Sequence, residues 1–147
     1  EAIESMTTLN KYACEVSKNY DIHACTDVTG FGFLGHLLEM MDNDKSCVIY
    51  ADKVPVFEEA KALADEFLIT AGGQRNRNHV GEKVFFDNIP FAMEEILFDP
   101  QTSGGLMFAV SADEADSLLE ELKKINLPAS IVGEITEKTD VAIKVVK

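Results

Sequence analysis

Two hydrophobic periods alternate along this chain, and that alternation is what most restricts its fold. The short runs "SCVIY" (residues 46–50), "LMFAV" (106–110) and "VAIKVV" (141–146) have the length and the β-branched or aromatic character of strands. Between them, apolar residues recur at sums of three and four, the spacing of a helix face. A chain that switches period in this way buries helical stripes against a sheet, so the expected fold class is α+β, a mixed β-sheet layered with helices.

Ile3, Met6, Ala13, Val16 and Tyr20 predict one helix over residues 2–19, and residues 22–25 a short strand. Phe31, Leu34, Leu38 and Met41 predict a helix ended by "DND" at 42–44. Val56, Ala60, Leu63 and Phe67 predict another, started near Pro55 because proline's fixed φ suits a first helical turn. "TAGGQRNRNHVGE", residues 70–82, has no usable period and reads as a loop. A strand at 84–86 and a helix at 90–97 follow. Ser111 and Glu114 have the spacing of a reciprocal capping box ahead of the apolar face Ala115, Leu118, Leu119 and Leu122. "ASIVGEI" and "VAIKVV" on either side of "TEKTD" read as an antiparallel pair, with Val141, Ile143 and Val145 facing inward.

With 147 residues, 46% of them hydrophobic, the chain is expected to form a single domain over residues 1–147. Its formal charge of −13, from 26 acidic against 13 basic residues, opposes a nucleic-acid partner. No apolar run approaches the roughly 20 residues of a membrane span and no signal-peptide layout opens the chain, so no membrane association and a cytoplasmic location are expected. Cys14, Cys25 and Cys47 are odd in number and lack framework spacing, which favours reduced thiols. The first residue is Glu1 rather than methionine, read here as the mark of a piece of a longer protein.

The candidate chemistry lies in three places. In "CTDVTGFGFLGH", residues 25–36, Asp27 stands between a strand and a helix. There it can cap the orphan N–H groups of the first turn, or it can offer a carboxylate to a hard cation such as Mg²⁺, which takes only one or two protein carboxylates and fills its shell with water and phosphate oxygens. "DPQTSGG", residues 99–105, is a tight turn able to present successive N–H groups to an anion, although most such segments only connect elements. Arg75 and Arg77 in the 70–82 segment can meet phosphate or carboxylate groups or stay solvated. His23, Cys25 and His36 are acceptable transition-metal ligands, but their spacing fits no zinc framework. Cys14 and Cys47 read as buried thiols, and the acidic "ADEADSLLEEL" as a solvated helix face.

"ACTDVTGFGFLGHLLEM" (24–40) and "LFDPQTSGGLMFAV" (97–110), in that order and separation, resemble selenophosphate synthetase, also called selenide, water dikinase. The resemblance extends to "ESMTTLNKYACEV" and, more loosely, to "AGGQRNRN" (71–78), where Gln74 replaces the threonine the family commonly shows. It covers the C-terminal half of such an enzyme and implies the C-terminal domain of the aminoimidazole ribonucleotide synthetase type, with a ferredoxin-like resemblance. It further implies conversion of selenide, ATP and water to selenophosphate, AMP and phosphate with Mg²⁺, in a homodimer whose N-terminal half carries the reactive cysteine or selenocysteine. No catalytic residue is then expected in this chain, which alone should be inactive, and its partner is that N-terminal domain. By position, Asp27 resembles the aspartate that this domain contributes to the magnesium cluster on the ATP phosphates. Another ATP-dependent member of the superfamily, or a non-catalytic binding domain of the same fold, is the alternative.

Overall fold

In the computed structural model, which describes residues 2–147, the chain runs through α1 (Ala2–Thr7), α2 (Lys11–Ser17), β1 (Ile22–Asp27), α3 (Gly32–Met40), β2 (Lys45–Tyr50), α4 (Glu58–Asp65) and α5 (Ala71–Val80). It continues through β3 (Val84–Phe86), α6 (Phe91–Phe98), β4 (Leu106–Val110), α7 (Ala112–Lys124), β5 (Gly133–Glu137) and β6 (Ile143–Val146). The strands form a mixed four-stranded sheet in the order β3-β6-β2-β5 and a separate antiparallel ribbon of β1 and β4. The fold is α+β, as the alternating periods predict, but with two sheets where one was expected.

Alternation along the ribbon explains how one molecule holds two hydrophobic clusters. Met107 and Val28 join the larger cluster, in which Leu34 and Leu37 of α3 and Leu97 and Phe98 of α6 cover Cys47, Ile49, Ile143 and Val145 of the four-stranded sheet. Leu106, Phe108 and Val110 pack instead with Ala13, Leu118 and Leu122 of α2 and α7. The period of two sends alternate β4 side chains to opposite faces, so the ribbon is shared between the clusters. Burying each large side chain fully contributes about 1.5–3 kcal/mol, which makes these positions the main source of stability.

Local chemistry moves several elements from their expected places. The helix expected over 2–19 is broken into α1 and α2, and at the end of α1 the hydroxyls of Thr7 and Thr8 bond back to the carbonyls of Ile3 and Glu4. Pro55 does not open α4: the residue before a proline is driven extended, as Val54 is at φ −71°, ψ 120°, and the helix starts only after Phe57. Ser111 is the N-cap of α7 but makes no capping bond, since its Oγ lies 3.2 Å from His23 Nε2 while the Glu114 carboxylate accepts from the Asp21 N–H at 2.8 Å. Those two side chains tie α7 to the start of β1 instead of to each other.

The C-terminal hairpin does not form. β2 lies between β5 and β6, antiparallel to the first and parallel to the second. Ile143 and Val145 are fully buried and need partners on both sides, which β2 and β3 supply. Buried Ser46 pins the connection across the end of β2: its Oγ donates to the Val141 carbonyl at 2.7 Å and accepts from the Thr139 N–H at 2.9 Å.

The largest departure is α5, which occupies the segment read as a loop. Its Thr70 N-cap accepts from the Gly73 N–H at 3.0 Å, and only Gly73 and Val80 are buried. A helix that docks through glycine and polar side chains leaves no apolar period to read.

Candidate functional site

Along β1 the side chains of Ile22, Ala24 and Thr26 are partly buried while His23, Cys25 and Asp27 are exposed. Asp27 is the last residue of the strand, held in register opposite Leu106 of β4. It does not cap α3, which begins five residues later with Phe31 at its N-cap and no side-chain capping bond. Its carboxylate accepts no hydrogen bond from the described residues and faces solvent.

The peptides that follow Asp27 are fixed one after another. Val28 donates to the Gly105 carbonyl at 3.0 Å and accepts from the Gly104 N–H at 2.9 Å. The Thr29 carbonyl accepts from the Gln101 N–H at 2.9 Å, and the Gly30 carbonyl from the Asn76 side-chain amide at 3.0 Å. A Cβ on Gly104 would stand 2.7 Å from the Val28 carbonyl oxygen, so only glycine permits this approach. The two long motifs are therefore one structural unit, the 99–105 turn serving as the cradle of the Asp27 loop.

His36 completes the loop from inside. Its Nε2 faces the Thr29 hydroxyl at 3.1 Å and the Phe31 N–H at 3.3 Å, while Nδ1 lies 3.3 Å from the Glu39 carboxylate. That network assigns Nε2 as the acceptor and Nδ1–H as the donor, and it removes the ring from metal binding. His23 sits elsewhere, beside Asp21 and Ser111, and among the described residues no group of three or more His, Cys, Asp or Glu could hold a metal ion.

Helix α5 braces the other side of the unit. Thr70 Oγ1 donates to Asp99 Oδ1 at 2.6 Å while accepting from the helix, and a Cβ on Gly72 would lie 2.5 Å from Pro100 Cγ. Arg77 is committed to structure: it pairs with Glu94 and, at 3.3 Å, with buried Glu95, and its guanidinium lies 5.6 and 5.3 Å from the ring centroids of Phe86 and Phe98. Gln74 hydrogen-bonds Glu95 as well. Of the two arginines, Arg75 is the one left exposed.

Two of the thiols, Cys25 and Cys47, are poorly suited to nucleophilic work. Partial desolvation against the strand surface, then the nearby Cys14 and Asp27, raise the Cys25 thiol above its ordinary value although the residue is exposed, and burial pushes Cys47 up to about 12. Cys14 is exposed, not buried as its helical setting suggested. Thr70 and Asn76 are the site residues that sequence reasoning missed. The signal was present in the "GG" and "RN" of "AGGQRNRN", but a segment read as a loop gives no face on which to place an asparagine.

The family described as AIR synthase related protein, C-terminal domain, matches residues 3–146. The chain is similar to a selenide, water dikinase of Agathobacter rectalis, 60% identical over 146 residues, covering 99% of this chain and 43% of that protein. A selenide, water dikinase of Desulfitobacterium hafniense strain DSM 10664 / DCB-2 is 42% identical over 142 residues, covering 97% of this chain and 42% of that protein. The chain thus spans about two-fifths of the length of these curated relatives. The solved thiamine-monophosphate kinase from Stenotrophomonas maltophilia K279a aligns over 88% of this chain and 32% of its own, with a TM-score of 0.48 and 17% identity. That likeness is too slight to carry a functional argument.

Proposed function

The chain belongs to the AIR synthase related C-terminal domain family, and from that premise we propose that it is the single C-terminal domain of an ATP-dependent selenophosphate synthetase. In this reading the complete protein converts selenide, ATP and water to selenophosphate, AMP and phosphate. It does so as a homodimer in the cytoplasm, and its N-terminal domain supplies the reacting groups. Among the described residues no helix is long and apolar enough to cross a membrane.

The observation that carries the role of this domain is the Asp27 carboxylate. It is a hard oxygen donor at a fixed strand end, its lone pairs unclaimed by the described residues, and it stands where the two long motifs pair. Such a group fits Mg²⁺, which needs only one or two protein carboxylates and takes its remaining oxygens from water and phosphates. Bound Mg²⁺ supplies neutralisation of the charge that develops on phosphate oxygens during phosphoryl transfer. Asp27 would hold the ion from this side, and the 99–105 turn would keep the carboxylate at a constant height above the ribbon.

The test is Asp27→Asn in the complete protein. Selenide-dependent AMP formation should fall by about 100-fold or more, equivalent to about 3 kcal/mol of transition-state stabilisation, while thermal unfolding stays near that of the parent. Turnover within a few-fold of the parent would remove Asp27 from the metal site. The 147-residue chain by itself should show no selenide-dependent ATP hydrolysis, and activity in that preparation would overturn the division of labour between the domains.

A further inference from the structure

One side-chain amide joins three segments that are distant in sequence. The Asn76 Nδ2 group donates to the Gly30 carbonyl at 3.0 Å and to the Phe98 carbonyl at 2.9 Å, so both of its hydrogens are spent on backbone acceptors from different motifs. Phe98 ends α6, where a helix leaves carbonyls without an internal partner. The same Phe98 oxygen would lie 2.6 Å from a Cβ on Gly32, which shows how closely the start of α3 is pressed against the end of α6. Asn76 itself is immobilised by α5, whose N-terminus is fastened to Asp99 through Thr70.

Of the three carbonyls that follow Asp27, those of Val28 and Thr29 are held by backbone N–H groups of the 99–105 turn; that of Gly30 is held by Asn76. Releasing it would leave the Gly30–Phe31 peptide held only by the Phe31 N–H on His36 Nε2, and the loss would pass through Thr29 and Val28 toward the carboxylate.

We propose that Asn76 is a positioning residue for the metal–phosphate site, holding the loop after Asp27 so that its carboxylate meets the cation in one fixed geometry. The proposal rests on the reading of Asp27 as a metal ligand. Groups that orient a ligand without touching the metal commonly change affinity by about 10–100-fold when removed.

The experiment uses the complete protein, Mn²⁺ as the probe and a non-hydrolysable ATP analogue, with free Mn²⁺ followed by electron paramagnetic resonance. Asn76→Asp keeps the side-chain shape but loses both donors, and Asn76→Ala removes the amide altogether. Both should weaken Mn²⁺ binding about tenfold and speed hydrogen exchange at the Gly30, Phe31 and Gly32 amides, with exchange in β2 and β6 unchanged. Mn²⁺ affinity within twofold of the parent in both variants overturns the proposal, even if they melt earlier. Failure of both variants to fold overturns it too, assigning Asn76 to stability alone. The underlying reading fails separately: Asp27→Asn with parental Mn²⁺ affinity removes the metal site itself, whereas weak binding in Asp27→Asn beside parental binding in both Asn76 variants removes only the positioning role.

Discussion

Gly30 and Gly32 flank the same phenylalanine, yet they face opposite constraints. Gly32 has φ +69°, and a Cβ there would stand 2.6 Å from the Phe98 carbonyl oxygen. Gly30 has open space around the position of its missing Cβ. Gly32→Ala combines a left-handed backbone, costing about 1–2 kcal/mol for a non-glycine residue, with a backbone clash that forces α3 away from α6. We expect a loss of about 3 kcal/mol or more in urea denaturation, from strain plus overpacking. Gly30→Ala should stay within about 1 kcal/mol of the parent, because its effect runs mainly through the entropy of the unfolded chain. Equal losses at the two positions would mean that the contact between α3 and α6 is softer than its geometry states.

At the scale of elements, α5 depends on Thr70 at its N-terminus and on the buried side chain of Val80 at its other end. Thr70→Ala removes the N-cap and the bond to Asp99 together and should cost about 1–2 kcal/mol, read as a lower thermal midpoint. Thr70→Ser should keep both bonds and most of the stability. The same dependence explains what was legible in the sequence. The β1-to-α3 passage, β2, β3, α6, β4 and the start of α7 announce themselves because each has an apolar period or a turn signal within a few residues. The α5 helix does not, since the contacts that hold it are the Gly72 and Gly73 approaches and the polar reach of Gln74, Asn76 and Arg77. Strand order is equally hidden: alternation in β6 shows which side chains point inward, but the insertion of β2 between β5 and β6 depends on partners almost 100 positions away. The motif singles out Asp27 as the candidate ligand, while the capping role suggested by local grammar fails because α3 starts too late to be capped by it.

For the whole molecule, the buried thiol of Cys47 links the larger hydrophobic cluster to pH. Cys47 lies on β2, flanked by β5 and β6, only 2% exposed, and burial raises its pKa from an ordinary 9.0 to about 12. The unfolded chain releases this proton near pH 9 and the folded chain retains it until about pH 12. The unfolded state therefore binds fewer protons across that window, and stability falls as pH rises through it, by up to about 1.4 kcal/mol per pH unit; below pH 9 this contribution is fully present. Cys47→Ala lacks the titration but loses buried volume, at a cost of about 1–2 kcal/mol at neutral pH. The stability difference between parent and variant should then be constant up to about pH 8.5 and shrink above pH 9, closing within one or two pH units. Lys45, Tyr50 and Lys124, each raised first by a hydrogen bond to a glutamate, titrate in both proteins and cancel in the difference. Urea midpoints at pH 7, 9, 10 and 11 decide the matter: a gap that stays constant to pH 11 would mean that the Cys47 thiolate is tolerated inside the cluster and that the strands around β2 open more readily than their burial implies.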